Sequence, residues 1–173
     1  MERYTRRRAL QLGVGGLGVL AGCSTTSPGS DETTSDGLAL DTLSVAGSSG
    51  STVPVQPSNS VVLLDFFATW CAPCKPQMKH LRQIRSDFPD LHMLSVTWES
   101  ERSLVADFWR EYEGTWNVAM DPELRTGERY GIDRIPTLVV LDADGTEQWR
   151  HTGLVAADDV AERLRAAGAS GGG

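Results

Sequence analysis

The apolar residues change period along the chain, and the changes mark its elements. Residues 60–70, SVVLLDFFATW, form an almost unbroken apolar run between QPSN and a cysteine pair. Its Val, Leu and Phe content predicts a central strand buried on both faces. From Cys74 to Phe88 the apolar side chains fall at Met78, Leu81, Ile84 and Phe88, at spacings of three or four. That is an amphipathic helix, stopped by Pro89. LHMLSVTW reads as the next strand. Residues 100–113 place Leu104, Val105, Phe108, Trp109 and Tyr112 on one helical stripe that Gly114 ends. WNVAM is a short strand, and PELRTGERYG a short helix that Pro122 starts. TLVVLD, the turn ADG and EQWRH make a hairpin. Residues 156–167 close with a helix carrying Val160 and Leu164. Ahead of all these, LDTLSVAGSSGSTVPV reads as an N-terminal β-hairpin, two short strands around a Gly-Ser turn. The order ββ, β, α, β, α, β, α, β, β, α predicts an α/β domain over residues 38–168: a mixed central sheet with parallel strands, covered by helices on both faces.

The two ends follow other patterns. YTRRRALQLGVGGLGVLAGC runs from a basic cluster (Arg6, Arg7, Arg8) through an apolar stretch, Leu10 to Leu20, to small residues. That stretch is too short to cross a bilayer core of about 30 Å as a helix. The order is that of a signal peptide, here residues 1–22. Thr5-Arg6-Arg7 before Ala9-Leu10 resembles a twin-arginine signal, and ordinary secretory export stays open. Leu20-Ala21-Gly22-Cys23 resembles a lipobox, which implies that Cys23 is lipidated and anchors the chain to a membrane. A cleaved secretory signal with an incidental cysteine is the alternative, and both readings put the domain outside the cytoplasm, in a thiol-oxidising setting. With Cys23, residues 24–37, STTSPGSDETTSDG, read as a flexible tether because they have little apolar surface to bury. Residues 169–173 are expected to be a disordered tail.

Charge narrows the class. The 173-residue chain has a net charge of −7, and outside residues 1–22 it carries 12 basic and 22 acidic residues. So acidic a body excludes a nucleic-acid partner, whose phosphates need a basic face. Hydrophobic residues make up 40% of the chain, enough for one packed core but not for several membrane spans.

The chemistry concentrates in ATWCAPCK, residues 68–75. Cys71 and Cys74 stand where the buried strand turns into a helix, Cys71 before it and Cys74 in its first turn. The free amides and dipole of a helix N-terminus stabilise negative charge, which lowers the Cys71 pKa from the free value of about 8.5. The thiolate is the attacking species in disulfide exchange, and Cys74, with two residues intervening, is close enough to resolve the mixed disulfide. Pro73 suits a helix opening. Zinc would want four ligands, whereas Cys23 is distant and His80, His92 and His151 lack ligand spacing. A structural staple gains mainly by closing long loops, and this loop is minimal. Redox chemistry leads, and metal binding and a staple remain as alternatives.

LLDFFATWCAPCK together with GIDRIPTLVVLDADG resembles the thioredoxin superfamily, and more narrowly its TlpA/ResA-like, redoxin-type group of membrane-tethered thiol–disulfide oxidoreductases. The resemblance covers about residues 38–168. It implies a thioredoxin-like fold with a helix–strand insertion after LHMLSVTW. It implies that Cys71 is the exposed nucleophile, Cys74 the resolving thiol, and that the two form the redox disulfide. Pro136 would be a cis-proline facing the cysteines, with Ile135 offering backbone hydrogen bonds to an extended substrate. Trp70 would shield the thiols, and Ala72 and Pro73 would tune the loop between them. Asp65 matches a buried acid whose pKa burial should raise, a candidate proton acceptor for Cys74. No cofactor is implied, because the cysteines carry the electrons. The implied partners are protein thiols and disulfides, with cytochrome c or metalloprotein maturation among the possible settings, and a CcdA/DsbD-like membrane electron donor.

The chain also departs from that pattern. Where many TlpA-like proteins carry an acid three residues after the second cysteine, Gln77 stands here, and Lys79 replaces a helix proline while Pro76 lies earlier. Glu99 reads as a solvated loop residue or as a further carboxylate near the thiols. Two rival functions follow. Thr69, two residues before Cys71, gives a thiol peroxidase (peroxiredoxin-like) reading, although the Thr-x-x-Cys spacing is one short. A non-catalytic metal- or thiol-carrying assembly factor is the other.

Overall fold

A computed structural model describes residues 37–172 of the chain. The signal sequence, Cys23 and all of the tether except Gly37 lie outside the described residues. An N-terminal hairpin is built from two antiparallel pairs: β1 (Ala39–Asp41) with β4 (Thr52–Pro54), and β2 (Ser44–Val45) with β3 (Ser48–Ser49). The expected two strands are thus each interrupted. Gly47, at φ +71°, makes the inner turn, and a Cβ there would sit 2.0 Å from the backbone of Thr115. Only glycine lets the hairpin approach that closely.

A five-stranded sheet forms the centre, in the order β7-β6-β5-β8-β9. β5 (Val62–Phe66), β6 (His92–Thr97) and β7 (Asn117–Met120) run parallel, while β8 (Thr137–Leu141) and β9 (Glu147–Thr152) are antiparallel additions. β5 lies in the middle and all five of its residues are buried, which is why it reads as a continuous apolar run. The β7 edge is covered by the hairpin. Leu43 donates its N–H to Val118, Thr42 bridges to Ala119, and Ser48 exchanges side-chain bonds with the Val118 backbone. An exposed strand edge is thereby removed.

Alternation along β5 divides the core. Leu63 and Phe67 face a cluster built with α1 (Cys74–Asp87), α2 (Arg102–Glu111) and α4 (Ala157–Ala166). Val62, Leu64 and Phe66 face a second cluster with Leu40 and Val55 of the hairpin region, flanked by Tyr130 of α3 (Arg125–Tyr130) and by Ile132. Asp65 shares the first face by the same alternation.

Three local expectations differ from the structure. Leu104 is 52% exposed, so the buried stripe of α2 is Val105, Phe108 and Trp109. Pro122 does not begin α3: Leu124 N–H bonds Asp121 O, so the proline sits second in a turn, where its fixed φ is favoured. The buried Asp121 carboxylate then caps the later start, accepting from the N–H and hydroxyl of Thr126 at 2.7 and 2.6 Å. Of the expected tail, residues 169–172 are described: Ala169 N–H donates to Leu164 O and Gly172 N–H to Asp87 O.

Candidate active site

β5 ends at Phe66 and the chain crosses the top of the sheet in a tight loop. Phe67 N–H bonds Val96 O, Cys71 N–H bonds Ala68 O, and Cys74 N–H bonds Cys71 O. The loop delivers Cys74 as the first residue of α1, with Pro73 as the preceding cap residue. Pro76 falls in the first turn, where a missing N–H costs nothing. Cys71 and Cys74 form a disulfide with Cα atoms 5.3 Å apart. Both are buried, Cys71 to 4% exposure, so the exposed nucleophile of the sequence reading needs correcting for this oxidised state. The Cys71 sulfur is turned inward to its partner, in the same cluster as Phe67 and Leu138. Ala72 and Pro73 are exposed, and Trp70 stands out at 73% exposure.

The loop leading to Cys71 borders a groove of about 290 Å³ lined by Phe67, Trp70, Trp98, Glu99, Asp133, Arg134 and Ile135 among others. The Ile135–Pro136 peptide bond is cis. Ile135 is half-buried and packs against both core clusters.

Asp65 is 3% exposed rather than reaching solvent at the strand end. Burial pushes its pKa up to about 7, against the opposing pull of a hydrogen bond from Ser95. Gln77 is also buried, and its amide does what a carboxylate cannot. Its Oε1 accepts the Val155 N–H at 2.9 Å while its Nε2 donates to Val155 O at 3.2 Å, joining α1 to the loop before α4. A carboxylate would meet the Val155 carbonyl with a second acceptor. Gln77→Glu is therefore expected to lose about 1–2 kcal/mol of stability at pH 8 and to recover part of it at pH 5, where protonation restores a donor; urea unfolding at the two pH values checks this.

Glu99 is not a free loop residue. Its Oε2 accepts the Thr69 N–H at 2.8 Å and the Thr97 hydroxyl at 3.1 Å, and its Oε1 accepts the Thr69 hydroxyl at 2.7 Å. The carboxylate holds the loop that carries Trp70 and Cys71, and it commits the Thr69 hydroxyl proton, which weakens the peroxidase reading. Thr69 and Glu99 lie 30 residues apart, so no local pattern points to their contact. Among the described residues no group of three or more His, Cys, Asp or Glu side chains could share a metal ion.

The redoxin family profile matches residues 36–164, most of the chain. The chain belongs to the redoxin family. It is 28% identical over 107 residues to a thioredoxin-like protein, YneN, of Bacillus subtilis, covering 60% of this chain and 62% of that one. It is 28% identical over 86 residues to the thiol-disulfide oxidoreductase ResA of Oceanobacillus iheyensis, covering 49% of this chain and 45% of the relative. This redoxin thus spans about half to three-fifths of the length of these curated relatives. A structure from Chlorobium tepidum, described as a thiol:disulfide interchange protein DsbE, matches with a TM-score of 0.63 at 25% identity, covering 75% of this chain and 92% of that one. The fold is thioredoxin-like: a mixed sheet with helices packed on both faces and, after β6, the expected helix–strand insertion, α2 and β7.

Proposed function

We propose that this redoxin is a thiol–disulfide oxidoreductase working outside the cytoplasm, exchanging the Cys71–Cys74 disulfide and dithiol with protein substrates. One observation carries the reading: the disulfide sits at the start of α1, on the loop whose Trp70 lines an open groove together with Ile135. In the reduced protein the helix N-terminus favours the Cys71 thiolate, which attacks a substrate disulfide. Trp70 and Ile135 offer an apolar surface to the polypeptide flanking the substrate cysteine, and Pro136 holds that strand against the pair. Ala72 and Pro73 set the loop stiffness. Cys74 resolves the mixed disulfide, and Asp65, on the sheet face under α1, accepts its proton. ResA and DsbE, as named, support the reaction class. Titration of the purified protein against glutathione buffers tests it: a two-electron couple that disappears in the double cysteine variant supports the reading, and its absence from the native protein removes it.

The sequence before residue 37 supports export by a twin-arginine-like or secretory signal, lipid attachment at Cys23, and a tether leading to the domain. Two consequences belong to the same proposal: membrane attachment, and re-reduction by a CcdA/DsbD-like membrane donor. A Cys23→Ser protein is expected in the soluble fraction with its exchange activity intact. Retention of that variant in the membrane pellet rules out the lipid anchor.

A further inference from the structure

Asp65 is tied by hydrogen bonds to the inserted segment that follows α2. In the parallel register of β5 and β6, Asp65 lies opposite Ser95. Ser95 Oγ donates to Asp65 Oδ2 at 2.7 Å, and Trp116 Nε1 donates to Ser95 Oγ at 2.9 Å. All three side chains are buried. An indole N–H donates and never accepts, so the single Ser95 hydroxyl proton has no use for Trp116 and is directed onto the carboxylate. Trp116 is itself fixed, edge-on to Trp109 with ring centroids 4.9 Å apart at 71°. Trp109 in turn donates to Ala46 O at 3.2 Å and lies where Gly114 leaves no room for a Cβ, which would fall 2.2 Å from the ring.

We propose that Ser95 and Trp116 are positioning residues of the exchange reaction, acting through Asp65: they hold a donor on Oδ2, so the proton exchanged with Cys74 is carried on Oδ1. This rests on Asp65 being the proton acceptor. In the resolving step the Cys74 thiol proton passes to Oδ1 and the Cys74 sulfur attacks Cys71 Sγ. The bond between Cys71 and the substrate sulfur breaks as the Cys71–Cys74 bond forms. The electron pair leaves on the substrate sulfur, which regains a proton through solvent, and the carboxyl returns its own to solvent. The enzyme dithiol loses two electrons and the substrate disulfide gains them. Around the carboxyl, β6 offers Ser95, β8 offers Leu138, and the buried faces of α1, α2 and α4 carry no charged side chain. In the oxidised protein Cys71 and Cys74 are disulfide-bonded and do not titrate.

The test follows the Asp65 carboxyl by carbon-13 NMR in the oxidised protein, and the pH profile of exchange in the reduced one. Ser95→Ala removes a bond to the charged carboxylate, so the Asp65 midpoint is expected to rise by about one pH unit, and the exchange profile with it. Trp116→Phe frees the hydroxyl without deleting it and should give a smaller rise. Ser95→Thr keeps the hydroxyl and should restore the native midpoint. Trp116→Phe also touches the packing against Trp109, whereas Ser95→Ala leaves the rings in place and removes the hydroxyl that donates to Asp65 and accepts from Trp116. An unmoved midpoint in Ser95→Ala overturns the proposal, as does a Ser95→Thr midpoint displaced as far as that of Ser95→Ala. If the midpoints move as expected but Asp65→Asn leaves the exchange profile unchanged, the acceptor reading has failed, and the proposal with it.

Discussion

A Cys71→Ser protein is expected to exchange disulfides at least about 10³-fold more slowly than the native chain, with its fold retained. Serine differs from cysteine by one atom, but its hydroxyl stays protonated at neutral pH, whereas a thiol near a helix N-terminus supplies thiolate. In the proposed reaction Cys71 is the attacking sulfur, and placement supports that choice. Cys74 is the first residue of α1 and its side chain belongs to the buried face with Met78 and Leu81. Cys71 lies in the loop before it, next to the exposed Trp70 and the exposed Ala72 and Pro73. Cys74→Ser should therefore behave differently: the first attack survives and resolution does not, so mixed disulfides with substrate accumulate. Non-reducing gels followed by mass spectrometry read both variants. If Cys71→Ser accumulates the adducts and Cys74→Ser is inert, the assignment of the two sulfurs is reversed. The burial of Cys71 in the disulfide adds a condition. Trp70, next to Cys71 in the chain, is exposed and lines the groove, so Trp70→Ala should change exchange with proteins more than exchange with small thiols.

The elements that position this pair were legible because each rests on a local repeat. β5 is apolar at every position but Asp65 since strands flank it on both sides and helices or hairpin cover both faces. α1 repeats at three and four because only one stripe meets the sheet. Features that depend on distant partners were not legible. Pro122 looked like a helix start, but Asp121 caps from five residues before Thr126 and moves the start onward. Glu99 looked solvated because its partner Thr69 is remote in sequence, and Gln77 looked like a lost acid because its partner, Val155, is 78 residues away. The Gln77 bridge shows what replaced the acid: a group that donates and accepts at once. It also leaves Asp65 as the buried acid on the cysteine side of the sheet, with Ser95 and Trp116 hidden from any one-dimensional reading.

Replacing Asp65 by asparagine is expected to change stability with opposite signs at low and high pH. The unfolded carboxyl titrates near 3.8 and the folded one near 7, because burial disfavours the charge. Between these values the folded protein holds a proton that the unfolded chain has released, so native stability falls as pH rises across the window. The slope is about 1.4 kcal/mol per pH unit, which accumulates to about 4 kcal/mol by pH 7 and above. An asparagine cannot ionise, so this fall should vanish. Its amide oxygen still accepts the Ser95 hydroxyl, while its NH₂ replaces a carboxylate oxygen and stays without a partner, at a cost of about 1–3 kcal/mol. Asp65→Asn should thus be less stable than the native protein at pH 4 and more stable, by about 1–3 kcal/mol, at pH 8. Urea unfolding of the oxidised proteins across this range, with the disulfide intact so that neither cysteine titrates, measures the crossing. A difference between the two proteins that does not vary with pH would mean that Asp65 is not buried as a raised acid. A crossing would mean that the domain carries, at neutral pH, a destabilised carboxyl in its central strand, and stability forgone beside a reactive pair is the expected mark of a group kept for its proton.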